Sequence, residues 1–188
     1  IDAHGDFQDR LWSTVRRSKR RLPRRVRLIG NHEQRIDRAI EFQPELTGTI
    51  SYKDLDLERY YDDIIHYDGR SPGSIEIDGV HYSHYFVSGV MGNPIGGEHP
   101  AYSMVTKLHV SCTVGHTHVL DACVRTAASG RKIYGLVAGC FVDYDTEWAG
   151  QARNLWWSGV FVKRGVSAGQ YDLEAISTSR LRQEYGRG

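Results

Sequence analysis

The chain has 188 residues and a mass of 21.3 kDa, enough for one domain with a proper core. Apolar residues at 40% and charged residues at 25% are the composition of a soluble globular protein. No apolar run approaches the roughly 18 residues of a membrane span, and a formal net charge of +1 excludes a chain that binds polyanions over its whole surface.

In chain order, Ile1 to His4 reads as the tail of a strand. Gln8 to Arg21 reads as a helix with Leu11, Trp12 and Val15 on one face, ended by Pro23. Val26 to Ile29 is the next strand, completing a strand–helix–strand unit of the parallel-sheet kind. Glu33 to Glu41 reads as a second helix. Gln43 to Asp78 is irregular and rich in Tyr and Asp, with a helix expected around Asp54 to Asp62 and edge strands after it. Val80 to Val87 reads as a strand, Gly89 to Gly97 as a glycine-rich loop, and Glu98 to Leu108 as a helix leading into the strand Val110 to Val114. Strands are then expected over Val119–Arg125, Lys132–Ala138, Trp156–Lys163 and Gln170–Ser177. This order suggests one layered α/β domain over 1–188 with a second, partly antiparallel sheet.

The polar, acidic first residues lead us to expect no signal peptide. Cys112, Cys123 and Cys140 are odd in number and lack zinc-knuckle spacing. Cys112 and Cys140 lie in apolar runs as small buried hydrophobes. A reducing, cytoplasmic setting is the expectation.

Two strings carry the chemistry. Gly30-Asn31-His32-Glu33 and Gly115-His116-Thr117-His118 each follow an apolar strand, so each delivers amide oxygens or imidazoles to a strand end. His116 and His118 are two apart, and on an extended backbone they would point the same way, as two nitrogens sharing a metal site should. Taken singly, each string has a plainer reading: Asn31 as a helix cap, and the His-x-His pair as surface. The dense cations from Arg16 to Arg27 are either a solvated face or a patch for the phosphates of nucleic acid. His66, His99 and His109 are expected at the surface or as satisfied core residues. Trp156 and Trp157 either line a substrate groove or, the preferred expectation, place one ring in the core and one on the rim. Asp143 and Asp145 are expected in turns or at the surface.

Gly5-Asp6-Phe7-Gln8-Asp9-Arg10, Gly30-Asn31-His32-Glu33 and Gly115-His116-Thr117-His118, in that order, resemble successive signatures of the calcineurin-like metallophosphoesterases. The resemblance covers residue 1 to about residue 145, and the tone of the chain is similar to members of phage or prophage origin. It implies an αββα sandwich, mixed sheets flanked by helices, with two divalent metal ions at the strand ends. Mn²⁺ is the first choice, with Fe, Zn²⁺, Co²⁺ or Ni²⁺ also suited to carboxylate, amide and imidazole donors.

The resemblance further implies Asp6 as the bridging carboxylate and Asn31 and His116 as ligands of one ion. It makes His118 a ligand of the other and His84 the lone middle histidine ligand. Tyr85 follows His84 where the family has Gly, and His81 competes with His84 for the role. His32 resembles the catalytic histidine that binds no metal, with Asp9 orienting it. Arg10 and Arg35 are the phosphate-gripping candidates.

The family also has an Asp-x-His string on a preceding strand. Two alignments therefore stay open: Asp6 as the bridge, with that first strand absent and the chain shortened at its N-terminus, or Asp2 and His4 as the first-strand ligands. The implied activity is hydrolysis of a phosphomonoester or phosphodiester, with nucleic acid or a nucleotide among the substrates, in the cytoplasm of a bacterial or phage-infected cell. The competing expectations are an impaired metal- or phosphate-binding fold and a nucleic-acid-binding module using 16–27. Oligomeric state is not legible.

Overall fold

The computed structural model describes residues 2–18, 21–142 and 147–186. It divides into two compact units, 1–73 and 74–188. Both are mixed α/β, and among the described residues none of the sheets closes on itself.

The first unit begins with helix α1 (Asp2–Ser18), so the strand tail expected at Ile1–His4 is corrected; Ile1 lies outside the described residues. The residues that follow Ile1 include no β-branched run, and the helix docks its first turns through backbone. Tyr60 Oη donates to the Gly5 carbonyl at 3.5 Å. The buried Gln8 amide donates to Tyr61 Oη at 2.8 Å and accepts from Trp12 Nε1 at 2.9 Å. The expected helix end at Arg21 is also corrected, because Arg21 is in a bend.

Strand β1 (Val26–Leu28) follows, then α2 (Gln34–Phe42), 3-10 turns at Pro44–Leu46 and Tyr52–Leu55, α3 (Leu57–Tyr60) and β2 (Asp63–Ile65). β1 and β2 pair in parallel, with Val26 opposite Asp63 and Leu28 opposite Ile65. The helix expected over 54–62 is broken at Asp56, whose left-handed φ of 46° separates a 3-10 turn from α3. The small hairpin β3 (Tyr67–Asp68) and β4 (Ser71–Pro72) closes the unit, and Ile29, Leu57 and Tyr60 are buried within it.

The second unit is built on a five-stranded sheet of β5 (Ser74–Ile77), β6 (Val80–Ser83), β9 (Ser111–Val114), β10 (Leu120–Thr126) and β11 (Lys132–Ala138). Its order is β10-β11-β9-β6-β5, parallel at its two central pairings, β11–β9 and β9–β6, and antiparallel at both edges. The strand expected over 80–87 breaks after Ser83, and β7 (Val87–Ser88) pairs instead with β8 (Asn93–Pro94) as a separate hairpin. Helix α4 (Pro100–Leu108) covers the sheet. Ala101, Met104 and Val105 pack with Cys112, Val114, Ile133 and Val137 into a buried core, worth about 25 cal/mol per Å² of apolar surface removed from water. Gly135 permits that approach: a Cβ there would stand 2.5 Å from the Ala101 carbonyl oxygen.

The hairpin β12 (Gly159–Ser167) and β13 (Gln170–Ser177) and helix α5 (Thr178–Tyr185) complete the unit. β12 starts three residues later than the strand expected from Trp156, because a 3-10 segment occupies Glu147–Leu155 and the chain then follows residues 118 and 140. No described helix is long and apolar enough to cross a membrane.

Candidate functional site

In the first unit, α1 carries Asp6, Asp9 and Arg10 at helical spacing that places them on one exposed face. Asp9 accepts from Arg59 Nη2 through both carboxylate oxygens, at 3.0 and 3.1 Å. In this structure its carboxylate is thus held by a cation on α3. β1 delivers Gly30, and a turn over 31–33 leads into α2. Asn31 is half-buried in that turn, and the position capping α2 belongs to Glu33, so the cap reading of Asn31 does not hold.

Glu33 bridges the turn to the strand: it accepts from Arg27 Nη2 and, at 3.0 Å, from the Gly30 amide. Burial pushes its carboxyl up, but the Arg27 guanidinium and the amides of Glu33 and Gly30 outweigh that and leave it below the usual carboxylate range. His32 and Arg35 are exposed. His4 Nε2 is buried without a hydrogen-bond partner among the described residues. Burial and then the charge of Arg27 lower that imidazole.

The cationic segment is partly neutralised. Arg24 pairs with Asp63 at 2.8 Å, Arg25 with Asp62 at 2.8 Å, and Arg27 with Glu33. Arg25 also lies over the Trp12 ring, 5.4 Å from its centre. Lys19 and Arg20 lie outside the described residues, as do Asp143 and Asp145.

In the second unit, the neighbouring parallel strands β6 and β9 end side by side. Beyond them the Gly115 amide donates to the His84 carbonyl at 3.3 Å, so the pairing continues into both loops. This brings His84 Nε2 to 3.1 Å from His116 Nδ1. At that separation the two imidazoles share a hydrogen bond, with donor and acceptor set by their tautomers. A cation taking the place of the shared proton would find in them a partial donor set. Tyr85 packs against His116, ring centres 4.9 Å apart.

The expectation that His116 and His118 sit side by side on extended backbone is corrected. Residues 116 and 117 form a turn, and His118 has a left-handed φ of 62°. Its ring meets Trp156 edge-on at 4.5 Å, while Trp157 packs on Phe161 at 4.7 Å. The competitor His81 faces Glu76, Nε2 to Oε2 at 3.7 Å, across the β5–β6 pairing. Among the described residues, no group of three or more His, Cys, Asp or Glu side chains is placed to hold a metal ion.

Of the aromatic neighbours of the histidines, Tyr85 carries no signal as a site residue, since ring stacking leaves no spacing pattern in a sequence, whereas the Trp156-Trp157 pair offers a groove lining as its lesser reading. Cys112 is buried, and Cys123 and Cys140 are half-buried; all three are free thiols. Comparison with protein-family models, curated proteins and solved structures yields no match.

Proposed function

We propose that the chain is a metal-dependent phosphoesterase with the αββα architecture of the calcineurin-like metallophosphoesterases. It would hydrolyse phosphomonoesters or phosphodiesters, with nucleotides or nucleic acid as the leading substrate class. The observation that carries this reading is the approach of His84 Nε2 and His116 Nδ1 to 3.1 Å at the ends of adjacent parallel strands. Strand ends of this kind are where open α/β sheets bind ligands.

In the second unit His84 and His116 are the nitrogen donors of the proposal, with His118 the further imidazole that the resemblance implies. Asp6 and Asn31, the oxygen donors it implies, belong to the first unit, and carboxylate, amide and imidazole donors together suit Mn²⁺ and its neighbours. Bound divalent ions would supply Lewis-acid polarisation of the phosphoryl oxygens and a water acidified for attack. The chain's own groups do the rest. The guanidinium groups of Arg10 and Arg35 donate to phosphate oxygens, which suits their forked geometry. His32 holds the proton that the leaving oxygen takes, and for Asp9 to orient that ring, as the resemblance implies, its carboxylate would have to leave Arg59. His4 suits a ligand role less well than Asp6, because the Arg27 charge beside it opposes a cation.

The test is hydrolysis of p-nitrophenyl phosphate and bis-p-nitrophenyl phosphate with added Mn²⁺, together with Mn²⁺ stoichiometry. His32→Ala should abolish turnover and leave metal binding intact. Hydrolysis that survives this change would remove His32 from its role. Mn²⁺ binding without turnover in the unaltered chain would mark a binding fold instead.

A further inference from the structure

Lys163 lies on β12 between Val162 and Arg164, and strand alternation sends the two cations to opposite faces. Arg164 turns outward and pairs with Glu174 at 2.7 Å. Lys163 turns inward. Its ammonium donates to Thr113 Oγ1 at 2.5 Å and to Tyr82 Oη at 3.1 Å. It also stands 4.3 Å from the centre of the Tyr82 ring and 4.6 Å from that of Tyr171.

Among the described residues no carboxylate pairs with it. Cys112 also acts on it electrostatically, but burial pushes that thiol up to about 12, so no thiolate balances the charge. Burial accordingly lowers the Lys163 amine from its ordinary value to about 8. A half-buried amine without a counter-charge, held between two aromatic rings, is a costly choice at a position where a Met or Leu would pack.

The amine also borders open space. Lys163, Tyr82 and Thr113 line a cleft of about 490 Å³ whose remaining wall is apolar: Leu136, Ala138, Val160 and Phe161, with Gly159 leaving room. An apolar cleft with a few convergent polar groups is the usual form of a small-molecule site. A lysine desolvated in such a setting is the standard form of an activated amine nucleophile.

We propose that Lys163 is a covalent capture site for a small aldehyde with an aryl or alkyl body, which binds in this cleft and condenses with Nζ to an imine. The reaction balances within the site. After the ammonium releases a proton to solvent, the Nζ lone pair attacks the carbonyl carbon, and the carbonyl π pair moves to oxygen. That oxygen takes a proton from Tyr82 Oη, and the phenolate then removes one from nitrogen. The resulting hydroxyl leaves as water with a second proton from Tyr82. The C=N bond forms from the nitrogen lone pair, and the last nitrogen proton returns to the phenolate. Amine and aldehyde become imine and water, and Tyr82 is unchanged. The Tyr82 hydroxyl, 3.1 Å from Nζ, is placed to be that donor. The two hydroxyls beside Nζ and the apolar wall select the same ligand: a carbonyl at one end, no charge at the other.

The experiment is competitive reductive alkylation of the intact chain with benzaldehyde and cyanoborohydride, read by peptide mass spectrometry. The exposed Lys53, Lys107 and Lys132 are internal references. Lys163 should be alkylated at least about tenfold faster than any of them at pH 7.5, with a rate that rises to a plateau above about pH 8. Lys163→Arg should lose that adduct alone, and Tyr82→Phe should slow it about tenfold. Replacing benzaldehyde with glyoxylate, whose carboxylate the apolar wall disfavours, should remove the preference for Lys163. Labelling of Lys163 at or below the rate of the exposed lysines in the unaltered chain overturns the proposal. So does an equal preference with glyoxylate. The primary readout uses no variant, so a misfolded variant cannot obscure it.

Discussion

His84 Nε2 lies 3.1 Å from His116 Nδ1, and the contact is set by backbone. β6 and β9 run in parallel with Tyr82 opposite Thr113, and the hydrogen bond from the Gly115 amide to the His84 carbonyl carries the pairing past the strand ends. The backbone thus brings the two side chains together, and the ring-to-ring hydrogen bond and the edge-on packing at 4.9 Å hold them there. His84→Ala and His116→Ala should each weaken Mn²⁺ binding about 100-fold and lower Mn²⁺-dependent hydrolysis by at least as much, with little change in circular dichroism. Calorimetric titration with Mn²⁺ reads the first effect. Unchanged affinity in both variants would remove the pair from the metal site.

The Asp9–Arg59 pair separates a structural role from a catalytic one. The Asp9 and Arg59 side chains are 52% and 58% exposed, and exposed pairs contribute only about 0–1 kcal/mol. Arg59→Ala should therefore shift the urea midpoint very little. Asp9→Asn should be equally mild on stability, yet lower kcat about tenfold or more if Asp9 orients His32. A loss of several kcal/mol from either change, or an unaltered kcat in Asp9→Asn, would make Asp9 a surface anchor of α3 and nothing more.

What the sequence made legible follows from periodicity. Lys132–Ala138 and Gln170–Ser177 are β11 and β13 to the residue, because alternation, glycine turns and β-branched residues agree there. Helix α4 lies within the expected 98–108 for the same reason, with Pro100 at its first turn. The misreadings have local causes. Asp2 to Gly5 carry no signal that separates a strand end from a helix start, and the helix is set by packing against Tyr60. The break after Ser83 leaves the apolar pattern intact, since Phe86 and Val87 continue it while changing partners. At the site, sequence order brought His84 and His116 forward as candidates. It did not indicate the left-handed turn at His118, because that conformation is uncommon outside glycine. Lys163 was invisible as a special residue, although it shares a face with Phe161 and follows the apolar run Val160–Val162.

Gly79 and Gly169 hold the β12–β13 turn against the β5–β6 turn. Both have positive φ, 82° and 81°, and the Gly169 amide donates to Asp78 O at 2.8 Å. A Cβ on Gly79 would stand 2.4 Å from Gly169 N, and one on Gly169 would stand 2.6 Å from Gly79 O. Each position combines a conformation that penalises side chains with a backbone neighbour that cannot yield. Gly79→Ala and Gly169→Ala should each destabilise the unit by about 2–4 kcal/mol. The double variant should cost less than the sum, because either change alone already separates the turns. Strict additivity in urea unfolding would mean that the two turns do not support each other.

The half-buried amine of Lys163 makes stability depend on pH with a defined sign. Its ordinary value is 10.5 and burial lowers it to about 8 in the folded chain. Below about pH 8 both states hold the proton, and the folded state bears the cost of a half-buried, unpaired ammonium. Above it the folded chain releases the proton while the unfolded chain keeps it, so unfolding takes up protons and stability rises with pH. The groups facing the amine act the other way. Burial raises the Cys112 thiol from 9.0 to about 12 and also raises the Tyr82 and Tyr171 hydroxyls, so above about pH 9 the unfolded state loses protons that the folded state retains. The window in which Lys163 dominates is therefore about pH 8 to 9. Urea unfolding across it should show stability increasing with pH in the native chain. Lys163→Met should abolish that rise, while retaining the decline at higher pH due to Cys112 and the tyrosines. A rise that persists in Lys163→Met would place its origin in another group and return Lys163 to an ordinary, fully charged surface amine.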